Sequence, residues 1–278
     1  MKTILVLIDF SKKAERAALT AIEIARAAKS HVQLYTAFPA AQVYPSEVGL
    51  YPIYENYEEE EKIVDEKLKA LANKLIKKLG KSDPPLVGWT SRPGSLAESI
   101  ESLHPWLIVM GGKSKDGAFS HFMFGSNCEA VIDNASCPVL VIPEKAELKL
   151  IKNIAFATDL NPAEKDALSF VEDFGNLWDA AITVLHVSDP EATQESRDNH
   201  RYDFNAVISG RKYRDIHYAD VRGKDVAQAL ASYSDYKAFD MIAVAHKKRS
   251  FFGQLVHKSI SKTLLNYEHV PVLILNRT

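Results

Sequence analysis

The sequence predicts two tandem doubly wound α/β domains, each built on a five-stranded parallel sheet. Three observations carry this. The 278-residue chain repeats its own pattern. Its strand candidates are short, continuously apolar runs such as "ILVLI", "LIVM" and "VLVI". Such runs suit a sheet buried on both faces, since alternation would mark one wet face. Finally, strands alternate with helical patterns, which calls for right-handed crossovers between parallel strands.

The elements follow in order. "TILVLIDF" (3–10) and "NIAFATDL" (153–160) are matching first strands, each running into an aspartate, Asp9 or Asp159. Each leads into a helix. Ser11 is the expected N-cap of the first. In the second copy Asn161 caps, Pro162 takes the first helical position and Glu164 completes a capping box. The alanine-rich patterns "AERAALTAIEIARAAK" and "AEKDALSFVEDFGNLW" follow, then the strands "HVQLYTAF" and "AITVLHVS". Residues 39–56, "PAAQVYPSEVGLYPIYEN", form a long excursion holding Tyr44, Tyr51, Tyr54 and three prolines. It reads as a lid or interface, or as an ordered excursion with no ligand role. The helix "NYEEEEKIVDEKLKALANKLIKKLG" has acids at its start and lysines at its end, which complements the macrodipole. Asn56 is its expected N-cap, Glu59 its capping-box partner and Gly80 its C′ residue. Its acidic run is a solvated face.

The ends of the repeat also match: "WLIVMGG" with "DMIAVAHK", and "NASCPVLVIP" with "EHVPVLIL". The seam falls in "PEKAELKLIKN" (143–153), giving domains at 1–145 and 150–278. Each half closes on a short apolar strand after a proline, so mutual pairing of these two strands would remove an exposed edge.

Composition excludes several classes. With 46% hydrophobic and 25% charged residues, disorder over most of the chain is not expected. A formal net charge of −2 gives no basic field for nucleic acid. No apolar run nears the ~18 residues of a membrane span, and the N-terminus lacks the pattern of a signal peptide. A cytoplasmic location without a membrane partner is the expectation. Cys128 and Cys137 read as small thiols. No metal-site or nucleophile-elbow spacing occurs.

The stretch "GGKSKDGAFSHFMFGSN" (111–127) opens from the fourth strand, next to the crevice where strand order reverses. It is not a P-loop: Gly112 and Gly117 have the spacing, but Ala118 and Phe119 stand where Lys and Ser/Thr are required. No Gly-x-Gly-x-x-Gly occurs. What remains is Gly111, Gly112 and a "GSN" before a helix, which is either an anion site made of backbone N–H groups or a plain helix start capped by Ser126.

The Asp-ended strand, the glycine loop closing on "GS" and the final "CPVLVIP" strand resemble the universal stress protein family, in both halves of the chain. That resemblance implies an adenine nucleotide alpha hydrolase-like fold and, as in one branch of the family, ATP binding, with magnesium as the accompanying ion. Carried over, Asp9 takes the adenine or ribose side and the backbone near Ala37 touches the adenine. Gly111, Gly112, Gly125, Ser126 and Asn127 hold the phosphates. The family loop, Gly-x2-Gly-x9-Gly-Ser/Thr, is broken here, because Lys115 replaces its second glycine. Lys113 and Lys115 can instead offer ammonium groups. The second half departs further: "HKKRSFFGQLVHKS" (246–259) has His246 for glycine, Lys258-Ser259 for Gly-Ser, and the bulky Phe251 and Phe252. The implied function is a stress-response protein holding an adenine nucleotide in its first domain without rapid turnover. An interaction module without nucleotide and a slow ATPase are the alternatives. Further implied is pairing of the two domains as an intramolecular pseudo-dimer, with homo-oligomer formation left open.

Overall fold

The computed structural model describes residues 2–38, 42–46, 49–53, 57–79, 85–94, 96–112, 127–146, 150–161, 164–210, 213, 215–225, 228–230, 232–233, 239–247 and 269–277. The chain divides into two compact units, Met1–Cys137 and Pro138–Thr278.

In the first unit, β1 (Thr3–Leu7), β2 (His31–Phe38), β5 (Val87–Pro93) and β6 (Leu107–Gly111) form a parallel sheet in the order β6-β1-β2-β5. Consecutive residues of β1 and of β6 are buried without alternation, from Ile4 to Leu7 and from Leu107 to Met110. Both faces of these strands are therefore covered, as the unbroken apolar runs require. Each such side chain contributes roughly 1.5–3 kcal/mol of burial. Helix α1 (Lys12–Ala27) starts where the sequence places its cap: the Ser11 hydroxyl accepts the Ala14 N–H at 3.2 Å. Ala14, Ala17, Ala18, Ala21 and Ala25 lie on its buried face. Small side chains there let the helix approach the sheet closely. Helix α2 (Tyr57–Leu79) carries Glu58, Glu59 and Glu60 in its first turn and Lys77 and Lys78 in its last. The expected caps Asn56 and Gly80 lie outside the described residues. Helices α3 (Leu96–Leu103) and α4 (Asn127–Asn134) complete the unit. Cys137 is a buried thiol.

The excursion after β2 contains an antiparallel hairpin, β3 (Gln42–Ser46) and β4 (Gly49–Ile53), with Tyr44 opposite Tyr51. Its prolines, Pro45 and Pro52, are compatible with strands here because a two-stranded sheet consists of edges only.

The second unit contains β7 (Val139–Ile142), β8 (Asn153–Ala157), β9 (Ala181–Ser188), β10 (Ile216–Arg222), β11 (Met241–Lys247) and β12 (Val272–Arg277) in the order β10-β9-β8-β11-β12-β7. Five strands run parallel. Strand β7, the closing strand of the first repeat in sequence, pairs antiparallel with β12, the closing strand of the second. Helices α5 (Lys165–Gly175) and α6 (Gln194–Ile208) are the crossovers from β8 to β9 and from β9 to β10. Asp240, buried just before β11, ties two elements together: one carboxylate oxygen accepts the N–H groups of Lys152 at 2.8 Å and Asn153 at 2.9 Å.

Candidate functional site

In the first unit the chain runs outward from β1 to β2 and β5, then returns to place β6 on the other side of β1. The reversal puts a crevice outside the carboxyl ends of β1 and β6. Asp9 lies two residues past β1. One of its oxygens accepts the Ser11 N–H at 2.9 Å, a turn that leads the chain into α1. Between them Phe10 is held at φ 59, in the left-handed region uncommon for a bulky residue, and its side chain is 45% exposed. Ile8 donates its N–H to the Tyr35 carbonyl at 2.7 Å, so the pairing of β1 with β2 carries forward and brings Asp9 level with the buried Ala37.

Gly111 ends β6 against the first turn of α1. A Cβ there would stand 2.9 Å from Lys13 Cβ and 3.2 Å from the Lys13 carbonyl carbon. Only glycine allows this approach. Gly112 follows, half-buried, and Asn127 opens α4. Asp9, Ala37, Gly111 and Gly112 are thus brought to one end of three neighbouring strands. Lys113, Lys115, Gly125 and Ser126 lie outside the described residues.

The second unit repeats the crevice at β8 and β11, with the same turn. The Asn161 N–H donates to Asp159 at 3.0 Å and Leu160 sits at φ 60. Its lining differs. Where the first unit has Ile8 and Ala14, the second has Thr158 and Glu164. The Thr158 hydroxyl donates to the buried Glu164 carboxylate and accepts the Leu160 N–H at 2.8 Å. Leu160 is only 7% exposed, against 45% for Phe10. Of the loop residues weighed in the sequence, His246 and Lys247 end β11. Lys248, Arg249, Phe251, Phe252, Lys258 and Ser259 lie outside the described residues.

Sequence reading missed a polar group beside this second crevice. On β9, His186 Nδ1 lies 3.2 Å from the Thr158 carbonyl. A carbonyl only accepts, so this nitrogen carries the proton. The register of β9 with β10 sets Asp220 beside His186. Across from them on α6, the His200 ring lies 4.3 Å from that of His186, and Phe204 lies 5.0 Å from Tyr218. Burial, reinforced by neighbouring Asp220, pushes the Tyr218 hydroxyl up to about 12. For Thr158 and Glu164 alone a signal was present in the register of the repeat: laying "FATDLNPAEK" over "VLIDFSKKAE" puts Thr158 on Ile8 and Glu164 on Ala14.

Among the described residues no group of three His, Cys, Asp or Glu side chains is placed to hold a metal, and no helix is long and apolar enough to cross a membrane.

Fold and crevices define a tandem pair of adenine nucleotide alpha hydrolase-like α/β domains. Comparison with known proteins narrows this. The chain belongs to the universal stress protein family, whose model matches residues 1–143 and again 150–276. A solved universal stress protein from Archaeoglobus fulgidus DSM 4304 shares 16% identity at a TM-score of 0.70, over 99% of this chain and 96% of that one. A functionally unknown protein from Pseudomonas aeruginosa PAO1, also 16% identical, superposes at 0.61 over 100% and 93%. The cytoplasmic domain of a prokaryotic cation chloride cotransporter, 10% identical, superposes at 0.56 over 99% and 96%. At these identities the likeness is one of fold. No curated protein sequence matches the chain.

Proposed function

We propose that this chain is a cytoplasmic stress-response protein that holds an adenine nucleotide, ATP or a relative, in the crevice at β1 and β6 of its first domain, without rapid turnover. The observation that carries this reading is the contrast between the two crevices. In the first, small and apolar residues (Ile8, Ala14, Gly111) line the helix start, and Asp9 is poised to accept a hydrogen bond from a sugar or base. In the second, the buried Glu164 carboxylate stands at the N-cap of the following helix, where a phosphate would otherwise profit from the helix N-terminus. A side chain filling this place disfavours a phosphate there, so the nucleotide is proposed for the first domain alone.

Family membership supports the ligand class. The closeness of Gly111 to α1 brings the end of β6 beside the helix N-terminus, where backbone N–H groups favour an anion. Asp9 would orient the nucleoside, and Gly112, Gly125, Ser126 and Asn127, with Lys113 and Lys115, would face the phosphates. Magnesium would be carried by the phosphates, since the described protein residues offer no cluster for it.

The test is calorimetric titration of the full chain with ATP and magnesium. One site per chain is expected. Asp9→Ala removes one charged hydrogen bond, worth roughly 1.5–3 kcal/mol, and should weaken binding about tenfold or more. Two matched sites, or equal affinity in the variant, would overturn the assignment. Absence of any binding would favour an interaction module.

A further inference from the structure

We infer that the ring contact between His186 and His200 is a proton-operated latch, which releases α6 from the sheet of the second domain on acidification.

Helix α6 is lightly held. Among its described residues only Phe204 is buried, and Arg201, Tyr202 and Asp203 are exposed. Among the described residues two ring contacts help hold it: Phe204 on Tyr218, and His200 on His186. His200 and Phe204 stand four residues apart, on one face of the helix. One of these two ring contacts is a pair of imidazoles.

Around that pair lie polar atoms that the closed state leaves unsatisfied. His200 Nδ1, Tyr218 Oη and Asp220 Oδ1 are each buried without a hydrogen-bond partner. Opening α6 gives these three to water. That gain offsets part of the lost apolar contact and leaves the closed state poised.

The groups facing His186 come from three elements. From the end of β8 come the Thr158 carbonyl and Asp159. From β10 come Asp220 and Tyr218. From α6 comes His200, with Arg201 next to it acting on Tyr218. Burial opposes charge on His186, and His200 adds to that opposition. The Thr158 carbonyl, Asp220 and Asp159 favour charge. Burial is the largest of these influences, and the balance holds His186 below its ordinary value. The sign follows. In the closed state His186 resists a proton, while in the open state it takes one near the ~6.5 of a free imidazole. Closure is fully favourable above that value and is lost as the pH falls through it toward the lower value of the closed state.

The reading is independent of nucleotide binding in the first domain. It is tested by hydrogen exchange of the full chain from mildly alkaline to mildly acidic pH, corrected for the intrinsic pH dependence of exchange. Peptides from α6 should lose protection as the pH falls from the free-imidazole value toward the lower closed-state value, with a slope of at most about tenfold per pH unit for the one proton His186 takes up on opening, while α5 and β8 keep theirs. The double variant His186→Phe with His200→Phe keeps aromatic rings in contact but cannot titrate, and its α6 protection should be flat with pH. Flat protection in the unmodified protein, or an unchanged slope in the double variant, would overturn the latch. Should that variant fail to fold, the His186 ring is titrated by NMR in the unmodified chain. A midpoint below that of a free imidazole supports the latch, and one at or above it refutes it.

Discussion

Gly111→Ala is the substitution for which the geometry gives the firmest expectation. The added Cβ would lie 2.9 Å from Lys13 Cβ and 3.2 Å from the Lys13 carbonyl carbon. Carbon atoms in good contact stand about 3.5–4.0 Å apart, so the first turn of α1 must yield by roughly 0.6 Å or more. It cannot do so freely. The Ser11 hydroxyl fixes that turn through the Ala14 N–H, and Asp9 fixes Ser11. Overpacking of this kind costs about 1–3 kcal/mol. Replacing glycine with alanine also restricts the unfolded chain, which returns about 0.4–1 kcal/mol. The net expectation is destabilisation of the first unit by roughly 1–2 kcal/mol, with α1 displaced at the crevice. Urea denaturation followed by tryptophan fluorescence reads it. Trp89 and Trp106 report on the first unit and Trp178, the third and last tryptophan, on the second, so the comparison is made in a Trp178→Phe background. An unchanged or raised midpoint would show that the approach of β6 to α1 is looser than described, and would remove the steric reason for glycine at this position.

Two further outcomes are expected. Asp240→Ala strands the N–H groups of Lys152 and Asn153, and hydrogen bonds to a charged acceptor are worth about 1.5–3 kcal/mol each. The second unit should lose roughly 3 kcal/mol, with Asp240→Asn losing clearly less; equal midpoints for the two variants would contradict the acceptor role. Glu15 is held below the usual carboxylate range first by its hydrogen bond from Lys74, aided by the charges of Lys74 and Lys78, with burial opposing. Its stabilising effect is therefore present above the unfolded carboxylate value and lost as the pH falls through the folded one. Lys74→Ala should differ from the unmodified protein at neutral pH and converge with it in acid, by a small, salt-sensitive amount because Lys74 is 61% exposed. A gap that persists in acid would refute the pairing.

Local chemistry was legible where one element decides it. The runs "HVQLYTAF" and "AITVLHVS" are β2 and β9 from first residue to last, because both are short runs rich in β-branched, aromatic and other apolar residues. Ser11 capped α1 as its hydroxyl implied. The duplicated Asp-turn was visible as a repeat, although nothing in the letters showed that Phe10 and Leu160 take positive φ. The hairpin of residues 42–53 escaped because its prolines argue against a central strand, and only the pairing shows that both strands are edges. Glu164 read as a capping residue, since its burial against Thr158 depends on how α5 meets β8. The His186–His200 contact joins residues far apart in order and has no periodic signature. The glycine loop, most informative in sequence, belongs largely to residues 113–126, outside those described.

The antiparallel pairing of β7 with β12 bears on how the chain can be cut. The family match to the second half begins at residue 150, after β7 has ended at Ile142. A fragment chosen on that boundary keeps β12 and discards its neighbour, leaving the Ile274-Leu273-Val272 backbone as a bare apolar edge. An antiparallel strand pair is compatible with two-fold symmetry, so a second copy of β12 can stand where β7 stood. The isolated second half should therefore assemble with itself through this strand, and adding residues 138–149 should return it to a monomer.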